Sequence, residues 1–322
     1  MEEKKYRLLT RSDLDGLVCA VLMRYLELVD EIILIDHPGV MQEGKFKVGE
    51  NDITTNLPYV PGAHLAFDHH VSETLRSRDN PGHIIDPDAP SAARVVYEYY
   101  GGRSRFPEFF NEMMKAVDKA DSGNFSRREI LHPTGWPLLN FLVDKRTGIE
   151  DWGKFAISEQ EFKLRLIDWM GRMTIDEILS LPDVAQRAKI YFQYEEMYKK
   201  QLFQSALLKR NVVIIDCRGK ESVYPGNRFI IYALYPRCNV SIQIKHEPEE
   251  GKTTFSVGKS IINKTSDANI GQLMLKYGGG GHRAAGACHV PDSEAGKVLA
   301  EIIEALGGDE GMDADSRSGA LG

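Results

Sequence analysis

The sequence predicts an α/β protein with a parallel-sheet N-terminal domain, a helical connector and a smaller α/β C-terminal domain that carries a glycine-rich loop. Three observations lead there. At 322 residues the chain is too long for one ordinary core, and the length favours about two domains. In the first half, short β-branched runs alternate with stretches of helical spacing, the pattern of a parallel sheet joined by crossover helices. In the second half, several strand-like runs come before Gly278-Gly279-Gly280-Gly281.

Taken in order, residues 6–9 form a short strand that ends in Thr10-Arg11-Ser12-Asp13. Beyond Gly16, residues 17–28 place apolar side chains at helical spacing. Residues 31–35, 53–55 and 65–67 are further strands, the last ending at Asp68. Helices follow over 91–100 and 107–119. Each polar cluster falls just after a strand, at the carboxyl edge where open α/β sheets bind ligands. From residue 158 to about 208 the chain is rich in Glu, Lys, Gln, Met and Leu and broken at Pro182, a helical connector. The domains are therefore 1–157, the connector 158–210 and a second domain 211–306. In that second domain, strands over 211–216, 229–234, 240–244 and 253–257 lead to a helix over 269–277, the glycines, and a last helix over 294–306. Residues 307–322 have nothing to bury and are expected to be disordered.

Composition narrows the partners. The formal net charge of −7 excludes the basic footprint that long duplex DNA requires. A short phosphate ligand remains open, because a few cations and a metal make a local positive site. The start, MEEKKYRLLT, lacks the apolar stretch of a secretory signal, and no run of 18 apolar residues follows, so no membrane partner is expected. Cys19, Cys217, Cys238 and Cys288 form no CxxC pair, which argues for a reducing, cytoplasmic setting. Cys19 stands in an apolar run and is expected to be buried. Tyr97, Tyr99 and Tyr100 lie close together near a helix, where core packing outweighs base stacking.

Three clusters in the first half carry chemistry. In Asp13-Leu14-Asp15-Gly16, two carboxylates on a strand-to-helix turn can each reach a different cation; alone, the same residues serve as helix caps. Asp68-His69-His70 combines carboxylate with imidazole, which suits manganese, iron, cobalt or zinc. If the run stays extended, His69 and His70 face opposite ways and take different roles. Asp118-Lys119-Ala120-Asp121-Ser122-Gly123 adds one or two carboxylates, or simply closes a helix. In the second half, Gly278–Gly281 frees the backbone to approach an anion, and His282 and Arg283 add a donor and a fixed charge suited to phosphate. The small residues that follow are expected to open a helix, whose N-terminus also favours an anion.

These residues together resemble the DHH superfamily, which includes RecJ-type exonucleases, short-oligonucleotide nanoRNases, cyclic-dinucleotide phosphodiesterases and exopolyphosphatase-related proteins. Asp13-Leu14-Asp15-Gly16 resembles the first motif, Asp68-His69-His70 the one that names the family, Asp121-Ser122-Gly123 the fourth, and GGGGHRAAGA the signature of its C-terminal domain. The resemblance implies a metal-dependent phosphoesterase acting on phosphodiester, phosphomonoester or phosphoanhydride bonds. Its substrate would be a small nucleotide, a short oligonucleotide or polyphosphate, and its ions manganese (Mn2+) or another divalent metal. Asp13 and Asp15 would each ligate one metal, and His69 and Asp121 would complete the second site. His70 would face the substrate phosphate and Asp68 would orient its neighbours. Gly279, Gly280, Gly281, His282 and Arg283 would hold the substrate, and a homodimer is permitted.

The chain departs from the family pattern in two places. Arg11 stands in the stretch where a histidine often precedes the first aspartate. Asn56, in Thr55-Asn56-Leu57-Pro58, stands where an aspartate normally bridges both metals. Both changes weaken the first metal site, while Asp15, His69, Asp121 and Asn56 still compose the second, so one or two ions bind. Arg11 is then a catalytic candidate, replacing a cation by pairing with a phosphate oxygen. The same departures admit a different class, a non-catalytic nucleotide- or phosphate-binding protein with a degenerate metal site. Retention of six metal-suited side chains favours the enzyme. A closed structural metal site would use cysteine, and no cysteine lies in these clusters.

Overall fold

A computed structural model describes residues 4–307, apart from residue 45 and the segments 71–72, 75–79, 220–221 and 248–249. Apart from Gly307, the tail expected over 307–322 lies outside the described residues. The chain divides into two compact units, Met1–Phe125 with Pro133–Tyr191, and Ser126–His132 with Phe192–Gly322.

In chain order the elements begin with β1 (Tyr6–Arg11), α1 (Leu14–Tyr25), β2 (Val29–Ile35), α2 (Gly39–Gln42) and β3 (Asp52–Thr55). Then come β4 (Leu65–Asp68), β5 (His83–Ile85), α3 (Ala92–Tyr99), α4 (Phe110–Asp121), α5 (Arg127–Leu131) and α6 (Gly135–Val143). They continue with α7 (Glu159–Met170), α8 (Ile175–Ser180), α9 (Pro182–Ser205), β6 (Ala206–Lys209), β7 (Val212–Asp216) and α10 (Ile230–Leu234). The last are β8 (Val240–Glu247), β9 (Lys252–Lys259), α11 (Ile270–Leu275), β10 (Gly280–Gly281), β11 (Ala285–Pro291) and α12 (Ala295–Ala305). Between residues 158 and 210, α7, α8 and α9 as far as Tyr191 belong to the first unit and the rest to the second. Pro182 opens α9, a position that needs no backbone N–H.

The first unit holds a five-stranded sheet in the order β2-β1-β3-β4-β5, every neighbouring pair parallel. The chain leaves β1 toward one side to make β2 and then crosses to the other to make β3. The crevice between β1 and β3 at their carboxyl ends is therefore the switch point of the sheet. Thr10 pairs with Thr55 and Thr55 with Phe67, which brings the residues after β1, β3 and β4 side by side. Helix α1 is buried continuously from Leu14 to Met23. A helix without a wet face belongs inside, and α3, α4 and α7 pack on it.

In α9, Arg187 is fully buried, bidentate to Glu150 at 2.7 and 3.3 Å, with the rings of Phe155 and Phe162 4.1 and 3.9 Å from its guanidinium carbon. Replacing it with methionine keeps the volume but removes both cation–π contacts and the ion pair. Glu150 is part-exposed and can return to water, so the expected loss is about 2 kcal/mol, read as a lower midpoint in denaturant.

The second unit holds a six-stranded sheet, β10-β11-β9-β8-β7-β6, antiparallel except for β7 beside β8. Its core joins Ile242, Phe255 and Val257 of the sheet to Ile270 and Met274 of α11 and Ile302 of α12. Three expectations are corrected here. Residues 229–234 form helix α10, not a strand. Asn227 accepts from the Phe229 N–H at 3.1 Å and donates to the Ile130 carbonyl at 3.1 Å, so the chain turns into a helix that packs on α5. The end of the helical stretch, 206–209, is strand β6. The small residues after the glycines form strand β11 rather than opening a helix, because they pair along β9 from Ala285 to Pro291. Among the described residues, no helix is long and apolar enough to cross a membrane.

Candidate metal centre and glycine loop

Residue by residue, the metal centre grows out of three strand ends and one helix end. Asp13 caps α1, its Oδ1 accepting the Gly16 N–H at 3.1 Å. Two residues on, Asp15 is 2% exposed, and its two oxygens accept the N–H groups of Ala92 and Ala93 at 2.9 and 2.8 Å. Those amides open α3, so the positive end of that helix anchors the carboxylate. Burial, with Asp121 and Asp13 nearby, pushes the Asp15 carboxyl well above its usual range.

His69 follows β4 and fixes its ring through Nδ1 on the Ala89 carbonyl at 3.1 Å. That bond puts the proton on Nδ1 and turns Nε2 toward Asp121, whose Oδ2 lies 3.0 Å away at the end of α4. Nε2 nevertheless makes no aligned hydrogen bond, which leaves its lone pair to a third partner. Burial opposes a charge on His69, but the adjacent carboxylates of Asp121 and Asp15 push it up to about 9, so an ion binding at Nε2 displaces a proton. Burial likewise opposes charge on Asp121, and His69 overrides it, holding Asp121 below the usual carboxylate range.

Ligand atoms of Asp15, His69 and Asp121 all lie within 4.8 Å of one another. Beside them, Asn56 Oδ1 and Asp68 Oδ2 are buried and, like His69 Nε2, have no hydrogen-bond partner. Orphaned acceptors of this kind are costly unless something positive reaches them. The donor set thus fits a divalent metal, held by Asp15, His69 and Asp121.

Other expected site residues sit nearby. Asp68 Oδ1 accepts from His70 Nδ1 at 2.6 Å and from the His69 N–H at 2.8 Å, so it orients its two neighbours. The two imidazoles meet edge to face with centroids 4.7 Å apart. Arg11 Nε lies 3.0 Å from Asp13 Oδ2, and Asn56 Nδ2 donates to Asp13 Oδ1 at 3.1 Å. Asp13 therefore stands outside the three-residue set. Asp36 is held by Ser12 and by Lys145 at 2.7 Å, while Asp52, at the start of β3, is held bidentate by Arg7 at 2.8 and 2.9 Å. Neither takes the place of Asn56.

In the second unit, Gly280–Gly281 form β10 and residues 282–284 the turn into β11, with Gly281, His282 and Arg283 exposed. Packing also demands two of the four glycines. A Cβ on Gly279 would lie 2.1 Å from the Ala287 carbonyl oxygen, and one on Gly281 2.3 Å from that of Ala285. The carbonyls of Arg283 and His282 accept the N–H groups of Ile270 and Gly271 at 3.1 and 2.8 Å, closing the start of α11.

Two features of the site escaped the sequence reading. The amides of Ala92 and Ala93 have a signal in Ser91, a helix cap that accepts from the Arg94 N–H. Arg146, half exposed, is clamped by Asp144 at 2.7 and 2.8 Å, and the carboxylates of Asp144, Asp13 and Asp121 raise its pKa above the ordinary value. Its only signal is a cationic pair, Lys145-Arg146, after an apolar helix.

No protein-family model matches the chain, and a comparison with curated proteins finds no match. Among solved structures, the pGpG-specific phosphodiesterase PggH from Vibrio cholerae is 50% identical, with a TM-score of 0.80. That match covers 95% of this chain and 100% of PggH. The chain belongs to the DHH superfamily. It is a metal-dependent phosphoesterase, which sets aside the reading as a non-catalytic binding protein. An exopolyphosphatase-related protein from Bacteroides fragilis shares the fold, with 13% identity, a TM-score of 0.53 and coverage of 94% of this phosphoesterase and 92% of its own chain.

Proposed function

We propose that this phosphoesterase hydrolyses the linear dinucleotide pGpG to two molecules of GMP, with manganese as its ion. The observation that carries the reading is the 50% identity to a pGpG-specific phosphodiesterase over the whole length of that protein. The carboxylate-rich donor set, Asp15, Asp121 and His69 with the Asn56 amide oxygen, supports manganese. When bound, the ion supplies Lewis-acid stabilisation of phosphate charge and an acidified water.

The chain's own residues position the reaction. Water adds to phosphorus, the P–O3′ bond breaks, and the leaving 3′-oxygen takes up a proton. Asp68 fixes the His70 tautomer by engaging Nδ1, and we assign the opposite face of that ring to the scissile phosphate. Arg11 and Arg146 bring positive charge to an otherwise acidic site. Gly279, Gly280 and Gly281 with the exposed His282 and Arg283 are the proposed phosphate anchor of the second unit. The four free cysteines support a reducing, cytoplasmic setting.

The test is GMP release by the full chain in manganese, with pGpG compared against pApA, cyclic di-GMP and polyphosphate. The expected result is GMP as sole product and a preference for pGpG of about tenfold or more, since a site built to hydrogen-bond one base rejects the other strongly. Faster turnover of polyphosphate or of the cyclic dinucleotide would overturn the assignment.

A further inference from the structure

The first turn of α1 offers two carboxylates, and the structure spends them differently. Asp15 faces His69 and Asp121, whose ligand atoms share one sphere. Asp13 is fully engaged elsewhere. Its Oδ2 pairs with Arg11 Nε at 3.0 Å, and its Oδ1 accepts from the Gly16 N–H and from Asn56 Nδ2, both at 3.1 Å. A second cation at Asp13 would have to displace the guanidinium or sit against it.

Asn56 settles which side of the centre it serves. It is 2% exposed and held at φ 54°, a left-handed conformation that asparagine tolerates. Its Nδ2 is spent on Asp13, while its Oδ1 is buried with no hydrogen-bond partner. One neutral oxygen can complete a single coordination sphere, but it lacks the charge to hold two divalent ions together.

We propose that the centre takes one divalent ion, on Asp15, His69, Asp121 and the Asn56 amide oxygen, and that the Arg11 guanidinium stands in for a second ion by pairing with the substrate's phosphate. The proposal rests on the phosphodiesterase reading above and narrows it. A guanidinium is permanently charged, planar and matched to two phosphate oxygens, so it neutralises one unit of phosphate charge with no ion to be lost.

The test is the ion count of the full chain, by equilibrium dialysis against manganese with elemental analysis, together with the electron paramagnetic resonance spectrum of the bound ion. One ion per chain and an uncoupled Mn(II) spectrum are expected; two ions per chain with an exchange-coupled spectrum would overturn the proposal. The Arg11→His, Asn56→Asp double variant is expected to take up a second ion. Arg11→Ala is expected to keep one ion and lose about 100-fold in kcat/KM, in the range seen when one stabilising donor is removed. An unchanged kcat/KM in that variant would refute the role given to Arg11. The ion count is read without substrate, so a failure to cleave pGpG would count against the substrate and not against the count.

Discussion

Asp15→Asn is expected to lower kcat/KM by roughly 10³-fold and to weaken manganese binding in parallel. Several kcal/mol of charge stabilisation hang on the ion, and each factor of ten corresponds to about 1.4 kcal/mol. The substitution removes one negative charge from the three-residue donor set, keeps one of the two oxygens that accept from the Ala92 and Ala93 amides, and turns an NH2 group toward the other. Melting points separate loss of metal from loss of fold. With a chelator present, the variant should melt a few degrees below the wild type, because one buried amide loses its acceptor at about 1–3 kcal/mol; with manganese present, only the wild type should gain stability, because an ion that binds the folded state alone shifts its melting point. A fall in kcat/KM of less than about tenfold, with metal affinity unchanged, would take Asp15 out of the centre.

How much of this was visible in the sequence follows from what each signal encodes. The short apolar runs around Leu8, Ile33, Ile53 and Ala66 identify strands because strands buried on both faces need little else, and the polar residues after them mark the carboxyl edge. Asp13, Asp15, Asp68 and His69 drew notice because they stand directly after such runs, and Asp121 because it closes a helix. Six apolar residues over 229–234 fit strand and helix equally, and the decision came from Asn227, whose partner Ile130 is 97 residues away. The excursion of Ser126–His132 into the second unit is hidden for the same reason. Arg7 with Asp52, and Arg187 with Glu150, are pairs whose members carry no local mark of each other. The glycines over 278–281 suggested an open ligand loop, but the close approaches of Gly279 and Gly281 show that packing of β10 on β11 demands them as well.

Gly16→Ala is the strongest test of how the fold makes the centre. A Cβ at Gly16 would lie 1.9 Å from the Arg11 carbonyl oxygen and 2.6 Å from Thr10 Oγ1. Neither neighbour can retreat. Arg11 is the last residue of β1, paired with Ile35 of β2, and Thr10 Oγ1 donates to the Gly16 carbonyl at 3.1 Å while accepting from Thr55 Oγ1 at 2.6 Å. The added methyl must push the first turn of α1 away from β1, and α1 is enclosed by other helices. A destabilisation of about 3 kcal/mol or more is expected, at the upper end for overpacking because backbone and not a side chain must move. Asp13 and Asp15 flank the same turn, so manganese affinity should fall in the molecules that still fold. Gly39→Ala is the matched control, since a Cβ there meets nothing within 4 Å, and it should leave both stability and metal affinity at wild-type values. If Gly16→Ala kept a wild-type melting point and a wild-type manganese affinity, the tight strand-to-helix turn would not be what sets the two aspartates.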